Sequence, residues 1–120
     1  MKTIAVIGCG RIADNSHFPI LSKAENVQIK YVCDLIESKA QAAKEKFALS
    51  AQVITDYKVA LADKEVDGVF VLTPNYSHYT ITMDALKAGK HVFCEKPITV
   101  DYKKSVEMAK EAEKQNKILQ

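Results

Sequence analysis

Hydrophobic and polar positions follow one another along this chain in two rhythms. Short runs rich in β-branched and other apolar residues occupy positions 3–7, 27–33, 51–54, 66–72 and 91–94. Between them lie longer segments whose apolar residues recur every three or four positions. Ile36, Ala40, Ala43 and Phe47 draw one such stripe, the signature of a helix with a single buried face. Asp56 is placed to cap a short helix through Ala62. Ser77 is placed to cap another that closes at Gly89. Asp101 is placed to cap a last helix through about Gln115, with Val106, Ala109 and Ala112 facing inward. Strands alternating with helices predict an α/β, Rossmann-type doubly wound parallel sheet. The strands are almost continuously apolar, as strands covered on both faces are.

The first strand and first helix meet in a distinctive turn. The run ending at Ile7 passes through Gly8-Cys9-Gly10-Arg11-Ile12-Ala13 into helical spacing. A strand that ends in G-x-G-x-x-A and enters a helix is a dinucleotide-binding fingerprint. Gly8 permits the tight turn, because without a Cβ it takes φ > 0 cheaply. Gly10 lets a pyrophosphate approach the backbone. Ala13 keeps the helix close to the sheet. Arg11 and Ile12 stand at the helix N-terminus, whose unpaired N–H groups and dipole favour phosphate. Asp34 ends the second strand, where this fold sets a carboxylate against the adenosine ribose hydroxyls. A carboxylate there also repels a 2′-phosphate. Lys39 is the only nearby cation and Glu37 opposes it, so NAD is expected in preference to NADP.

Composition narrows the picture. The 120 residues suffice for one domain with a real core, and 48% hydrophobic with 27% charged is ordinary globular usage. A net charge of +2 gives no footprint for nucleic acid or a membrane surface. Arg11 is the single Arg among 17 cationic residues, and it lies in the glycine turn. Cys9, Cys33 and Cys94 form no CxxC pair and each ends a predicted strand, which reads as free thiols in a reducing cytoplasm with no metal site. No apolar stretch reaches spanning length. Residues 116–120 look like the opening of a sixth strand. The chain is therefore expected to be the N-terminal part of a longer protein, cut near a domain boundary, with residues 1–120 as an NAD(P)-binding domain.

Two further clusters follow the fourth and fifth strands. One is Thr73-Pro74-Asn75-Tyr76-Ser77-His78 and the other is Glu95-Lys96-Pro97. With G-C-G-R-I-A at 8–13, H-F-P at 17–19 and Asp34, these residues resemble the nucleotide-binding half of the Gfo/Idh/MocA family (glucose–fructose oxidoreductase, inositol dehydrogenase, rhizopine catabolism). The resemblance covers essentially the whole chain, in order. T-P-N-x-x-H followed by E-K-P is its specific part. It implies a two-domain NAD(P)-dependent oxidoreductase that moves hydride between a secondary alcohol of a sugar, inositol or polyol and nicotinamide. A second domain would supply most of the substrate pocket, and the isolated chain is expected to be inactive. A homo-oligomer of the full-length protein is compatible with this. Two other functions stay open within the same superfamily: a non-catalytic NAD(P) sensor and an NAD-dependent glycosidase.

The resemblance implies that Lys96 is catalytic, stabilising alkoxide character as hydride leaves. It implies that Glu95 holds Lys96 or the nicotinamide ribose. Pro97 is expected after a cis bond. Thr73, Pro74 and Asn75 would pass under the cofactor. His78 is either a cleft-lining residue or a buried structural one. For His17 the expected role is packing, and for Cys9 that of a spectator.

Overall fold

The computed structural model describes all 120 residues. The apolar runs become five strands: β1 (Lys2–Ile7), β2 (Val27–Cys33), β3 (Gln52–Ile54), β4 (Gly68–Val71) and β5 (His91–Cys94). They form one parallel sheet in the order β3-β2-β1-β4-β5. A parallel bridge between Val92 and Leu119 adds the expected beginning of a sixth strand on the free side of β5. The order reverses between β1 and β4, and at such a switch point the loops leaving the carboxyl ends diverge and open a crevice.

The strand pleat sends alternate side chains to opposite faces, and both faces are buried. Ala5 and Ile7 join Tyr31, Val69, Val71 and Val92 on one side, under α3 (Lys58–Ala62), α4 (His78–Lys87) and α5 (Tyr102–Gln115). Ile4 and Val6 join Ile29, Val32 and Leu72 on the other, under α1 (Phe18–Leu21) and α2 (Glu37–Lys46). This is the double winding predicted from the near-continuous apolar strands. The amino ends of the strands are tied by polar contacts. Thr3 N–H donates to Asp67 (2.8 Å), and the buried Lys90 ammonium donates to the carbonyls of Asp63 (2.7 Å) and Val66 (2.8 Å). Lys30 pairs with Asp63 at 2.6 Å, and that hydrogen bond leads the causes that hold the Asp63 carboxyl down to about 2.

Several local expectations change. β4 begins at Gly68, not Val66, because the chain turns through Asp63 and Val66 before it reaches the sheet. Asp56 does bond the Lys58 N–H at 2.9 Å, and Asp101 the Lys103 N–H at 2.9 Å. Ser77 stands at the N-cap of α4 but does not cap with its side chain. Its hydroxyl donates instead to the Pro74 carbonyl (2.8 Å) and pairs with the Thr73 hydroxyl (2.7 Å), and a 3-10 turn, Asn75–Ser77, leads into the helix. On α5 the buried residues are Met108 and Ala112, one turn apart. Val106 is half-buried and Ala109 exposed, because that helix is rotated to seat the longer Met108 side chain in the core. Ile36, at extended φ −97° and ψ 101° ahead of α2, leaves the expected stripe and is exposed.

Candidate functional site

The glycine turn is shaped by close approach as well as by dihedral freedom. Gly8 has φ +101°, and a Cβ there would lie 2.7 Å from the Leu72 carbonyl carbon and 2.8 Å from Thr73 N. The turn therefore runs against the backbone leaving β4, and only a residue without a side chain fits. At Gly10 a Cβ meets no atom within 4 Å. It would project into open space, so what glycine preserves there is room for something other than the protein. The helix that follows spans residues 11–21 and contains a π-helical turn, Ala13–His17, closed by a Phe18 N–H bond to the Ala13 carbonyl. Ala13 is fully buried against the sheet.

Asp34 reaches back to this turn. One carboxylate oxygen accepts from the Cys9 N–H (2.9 Å) and the other from the Ile36 N–H (2.9 Å). Each oxygen keeps a further lone pair for another donor. Asp34 thus braces the glycine loop as well as facing the crevice, a contact between residues 25 positions apart that spacing alone does not show. Burial, with the Asp34 charge second, pushes the Cys9 thiol up to about 12, and the same two causes push Cys33 up to about 12. Both thiols stay protonated and unreactive at neutral pH.

These pieces surround a cleft of about 740 Å³. Gly8, Gly10, Arg11, Ile12, Asp34, Thr73 and Pro74 line it. Sequence reasoning missed Leu35, Ile36, Tyr57 and Tyr76, which add apolar and aromatic wall, and Lys39 also borders the space. Leu35, Ile36 and Tyr76 are exposed large apolar residues clustered at one crevice, a signal legible only once the fold is known.

The remaining candidates sit beside the cleft. Asn75 is exposed in the 3-10 turn. His78 is 1% exposed, with Nε2 2.8 Å from the Thr73 carbonyl and Nδ1 2.8 Å from the Pro97 carbonyl. Of the two roles open for it, the geometry is that of a buried tie between the loop after β4 and the loop after β5. Its ring is occupied by protein at both nitrogens and does not line the cleft. Glu95 ends β5, and one of its oxygens lies 2.7 Å from His17 Nε2 while the other accepts from the Lys96 N–H at 3.0 Å. The His17 bond, followed by the Lys96 N–H, holds the Glu95 carboxyl below the usual range. His17 does pack as expected, edge-on to Phe70 (5.9 Å) and Phe93 (5.3 Å), but its polar contact to Glu95 is additional. Lys96 and Pro97 are exposed and joined by a cis bond, as expected.

A model of an oxidoreductase family with an NAD-binding Rossmann fold matches residues 2–120. The chain belongs to the Gfo/Idh/MocA family. It is 35% identical over 105 residues to an inositol 2-dehydrogenase/D-chiro-inositol 3-dehydrogenase of Lactiplantibacillus plantarum, covering 88% of this chain and 30% of that protein. It is 38% identical over 116 residues to D-glucoside 3-dehydrogenase of Escherichia coli, covering 97% and 33%. Among solved structures, a 3-ketoreductase from Actinomadura kijaniata in complex with NADP and TDP-benzene superposes with a TM-score of 0.91. Its sequence is 28% identical, and the match covers 98% of this chain and 36% of that one. The Gfo/Idh/MocA chain described here spans about a third of the length of the curated relatives it matches. It is an NAD-binding Rossmann domain of an oxidoreductase family. No helix is long and apolar enough to cross a membrane.

Proposed function

We propose that this chain is the cofactor-binding domain of an NAD-dependent dehydrogenase acting on a secondary alcohol of a sugar, inositol or related polyol. The observation that carries the reading is one juxtaposition. A glycine cradle braced by Asp34 opens at the switch point, and the loop holding Lys96 leaves the strand next to that crevice. The space at Gly10 fits a pyrophosphate, because a side chain at that position would fill it and no protein atom does. Gly8, Gly10 and the N–H groups of Arg11, Ile12 and Ala13 receive the phosphates. The open lone pairs of Asp34 accept from the ribose hydroxyls, and its charge disfavours a 2′-phosphate. Leu35, Ile36 and Tyr76 cover the apolar faces of the dinucleotide.

Bound in this cleft, NAD supplies the hydride acceptor. Lys96 places a positive charge beside the carbinol oxygen and stabilises the negative charge that develops there. Glu95 fixes the backbone at Lys96 through the Lys96 N–H. Thr73, Pro74 and Asn75 form the floor beneath the nicotinamide end. Hydride transfer also requires the carbinol carbon held about 3–3.5 Å from its acceptor and screened from water. That enclosure and the proton acceptor come from outside these 120 residues, which span about a third of the length of the curated relatives they match.

Calorimetric titration with NAD and NADP tests the cofactor reading on this chain. NAD binds more tightly, and Asp34→Ala weakens NAD and narrows the gap. Equal affinities in the parent chain refute the role of Asp34. For the reaction, NAD reduction by sugars and inositols is followed at 340 nm, with the absorbance band of NADH as signal, in this chain and in the full-length protein. Turnover by the longer protein alone, abolished in Lys96→Ala, is expected. Undiminished turnover in Lys96→Ala refutes the catalytic assignment.

A further inference from the structure

Lys96 is exposed, and its ammonium makes no hydrogen bond or ion pair within the chain. Its direction is therefore inherited from the backbone of residues 95–97. That backbone is held on both sides by imidazoles from other elements. On the far side, His78 Nδ1 lies 2.8 Å from the Pro97 carbonyl. On the near side, the Glu95 carboxylate joins two partners: the Lys96 N–H at 3.0 Å and His17 Nε2 at 2.7 Å.

His17 is itself firmly placed. Its ring stands edge-on to Phe70 and Phe93, which stack on each other with centroids 5.0 Å apart. It closes the π-helical turn Ala13–His17, and the extra residue of such a turn rotates every following side chain relative to a regular helix. The same helix begins at the glycine turn, where Asp14 N–H bonds the Gly10 carbonyl at 3.0 Å. One short helix thus touches the phosphate cradle with its first turn and the Lys96 loop with its second.

We propose that His17 is a positioning residue: it clamps the Glu95 carboxylate, which aims Lys96 at the nicotinamide end of a cofactor seated on the same helix. This rests on the reading of Lys96 as the residue beside the nicotinamide. Replacing the imidazole frees the Glu95 carboxylate to rotate into solvent. The Lys96 N–H then loses its acceptor, and the lysine samples directions away from the cleft. The phosphate cradle, built by Gly8, Gly10 and Asp34, keeps its own contacts.

The test uses this 120-residue chain with its lysines reductively methylated with ¹³C, the Lys96 resonance being assigned by its absence in Lys96→Arg. Saturation with NAD shifts the Lys96 resonance in the parent. In His17→Ala the shift falls to less than about half, while NAD affinity changes by less than about threefold, the two readouts separating aim from binding. His17→Gln, whose amide donates to Glu95, restores the shift. Glu95→Ala, which removes the acceptor of the Lys96 N–H and leaves His17 in place, lowers it as His17→Ala does. A full Lys96 shift in His17→Ala at saturating NAD overturns the proposal. So does an equal loss in His17→Ala and His17→Gln with parental thermal midpoints, because the amide then supplies nothing. If NAD binds the parent and the Lys96 resonance does not move, the placement of Lys96 at the nicotinamide fails, and the proposal with it. That outcome is distinguished from the others by being visible before any histidine is changed.

Discussion

Adding one methyl group at Gly8 perturbs the fold and the cleft at the same point. A Cβ at this position lies 2.7 Å from the carbonyl carbon of Leu72, 2.8 Å from its oxygen and 2.8 Å from Thr73 N. All three are backbone atoms, so no rotamer change relieves the overlap. Leu72 N–H bonds the Ile7 carbonyl at 2.8 Å, and Gly8 N–H bonds the Cys33 carbonyl at 2.7 Å, so either chain can move only by loosening the central pair of strands. Overpacking of this kind costs about 1–3 kcal/mol. Holding an L residue at φ +101° adds about 1–3 kcal/mol. Gly8→Ala is therefore expected to lose about 2–6 kcal/mol, against a total near 5–15 kcal/mol for a domain of this kind. At roughly 4 °C per kcal/mol, the thermal midpoint falls by about 8–24 °C. The assay is urea and thermal unfolding followed by far-UV circular dichroism, with Gly10→Ala as the matched control. A Cβ at Gly10 meets nothing within 4 Å, and that variant stays within about 1 kcal/mol of the parent. A Gly8→Ala midpoint indistinguishable from that of Gly10→Ala refutes the close approach of the two loops.

Three further outcomes follow from the same structure. Gly10→Val folds with a near-parental midpoint and loses NAD binding by calorimetry; parental affinity would place the phosphate site elsewhere. The Glu95 carboxyl titrates below its ordinary value in the folded chain, so its contribution to stability is present above the unfolded value near 4.5 and is lost as pH falls through the folded one. The difference in unfolding free energy between parent and Glu95→Gln is thus largest near neutrality and closes in acid; a difference that widens below pH 4 would reverse the assigned sign. Cys9 and Cys33, held up at about 12 mainly by burial, alkylate with iodoacetamide at pH 8 far more slowly than a free thiol, and rapid labelling of the folded chain would contradict their burial.

What was legible in the sequence was whatever depends on local rhythm or on a fixed backbone requirement. The strands at 27–33 and 91–94 appear with their predicted ends, and the glycine turn and Asp34 meet at the crevice. Elements whose ends are set by long-range packing were less legible. Ser77 has the chemistry of a cap, yet Thr73 and Pro74 compete successfully for its hydroxyl. Ala109 fits the inward face of α5 by spacing, but the larger apolar surface of Met108 decides the rotation of that helix. The His17–Glu95 contact spans 78 positions, and nothing local distinguishes His17 from a packing residue. Lys96 and His78 stand out in the sequence only through motif resemblance, and the structure divides them: one is exposed, the other enclosed.

The short pairing at the C-terminal end of the chain bears on how this domain avoids its own kind. An open parallel sheet has two bare margins, and each is a template for unwanted pairing with another chain. On one margin β3 is only three residues long, too brief to recruit a partner strand. On the other, the Val92 and Cys94 N–H groups are taken up by the carbonyls of Ile118 (2.9 Å) and Gln120 (2.8 Å). Residues 118–120 thus move that margin outward to a pairing as brief as β3 on the other side. A chain ending at Gln115 would leave the β5 margin uncovered beside an apolar core, and its failure would be precipitation in proportion to concentration, with the sheet behind the margin still intact.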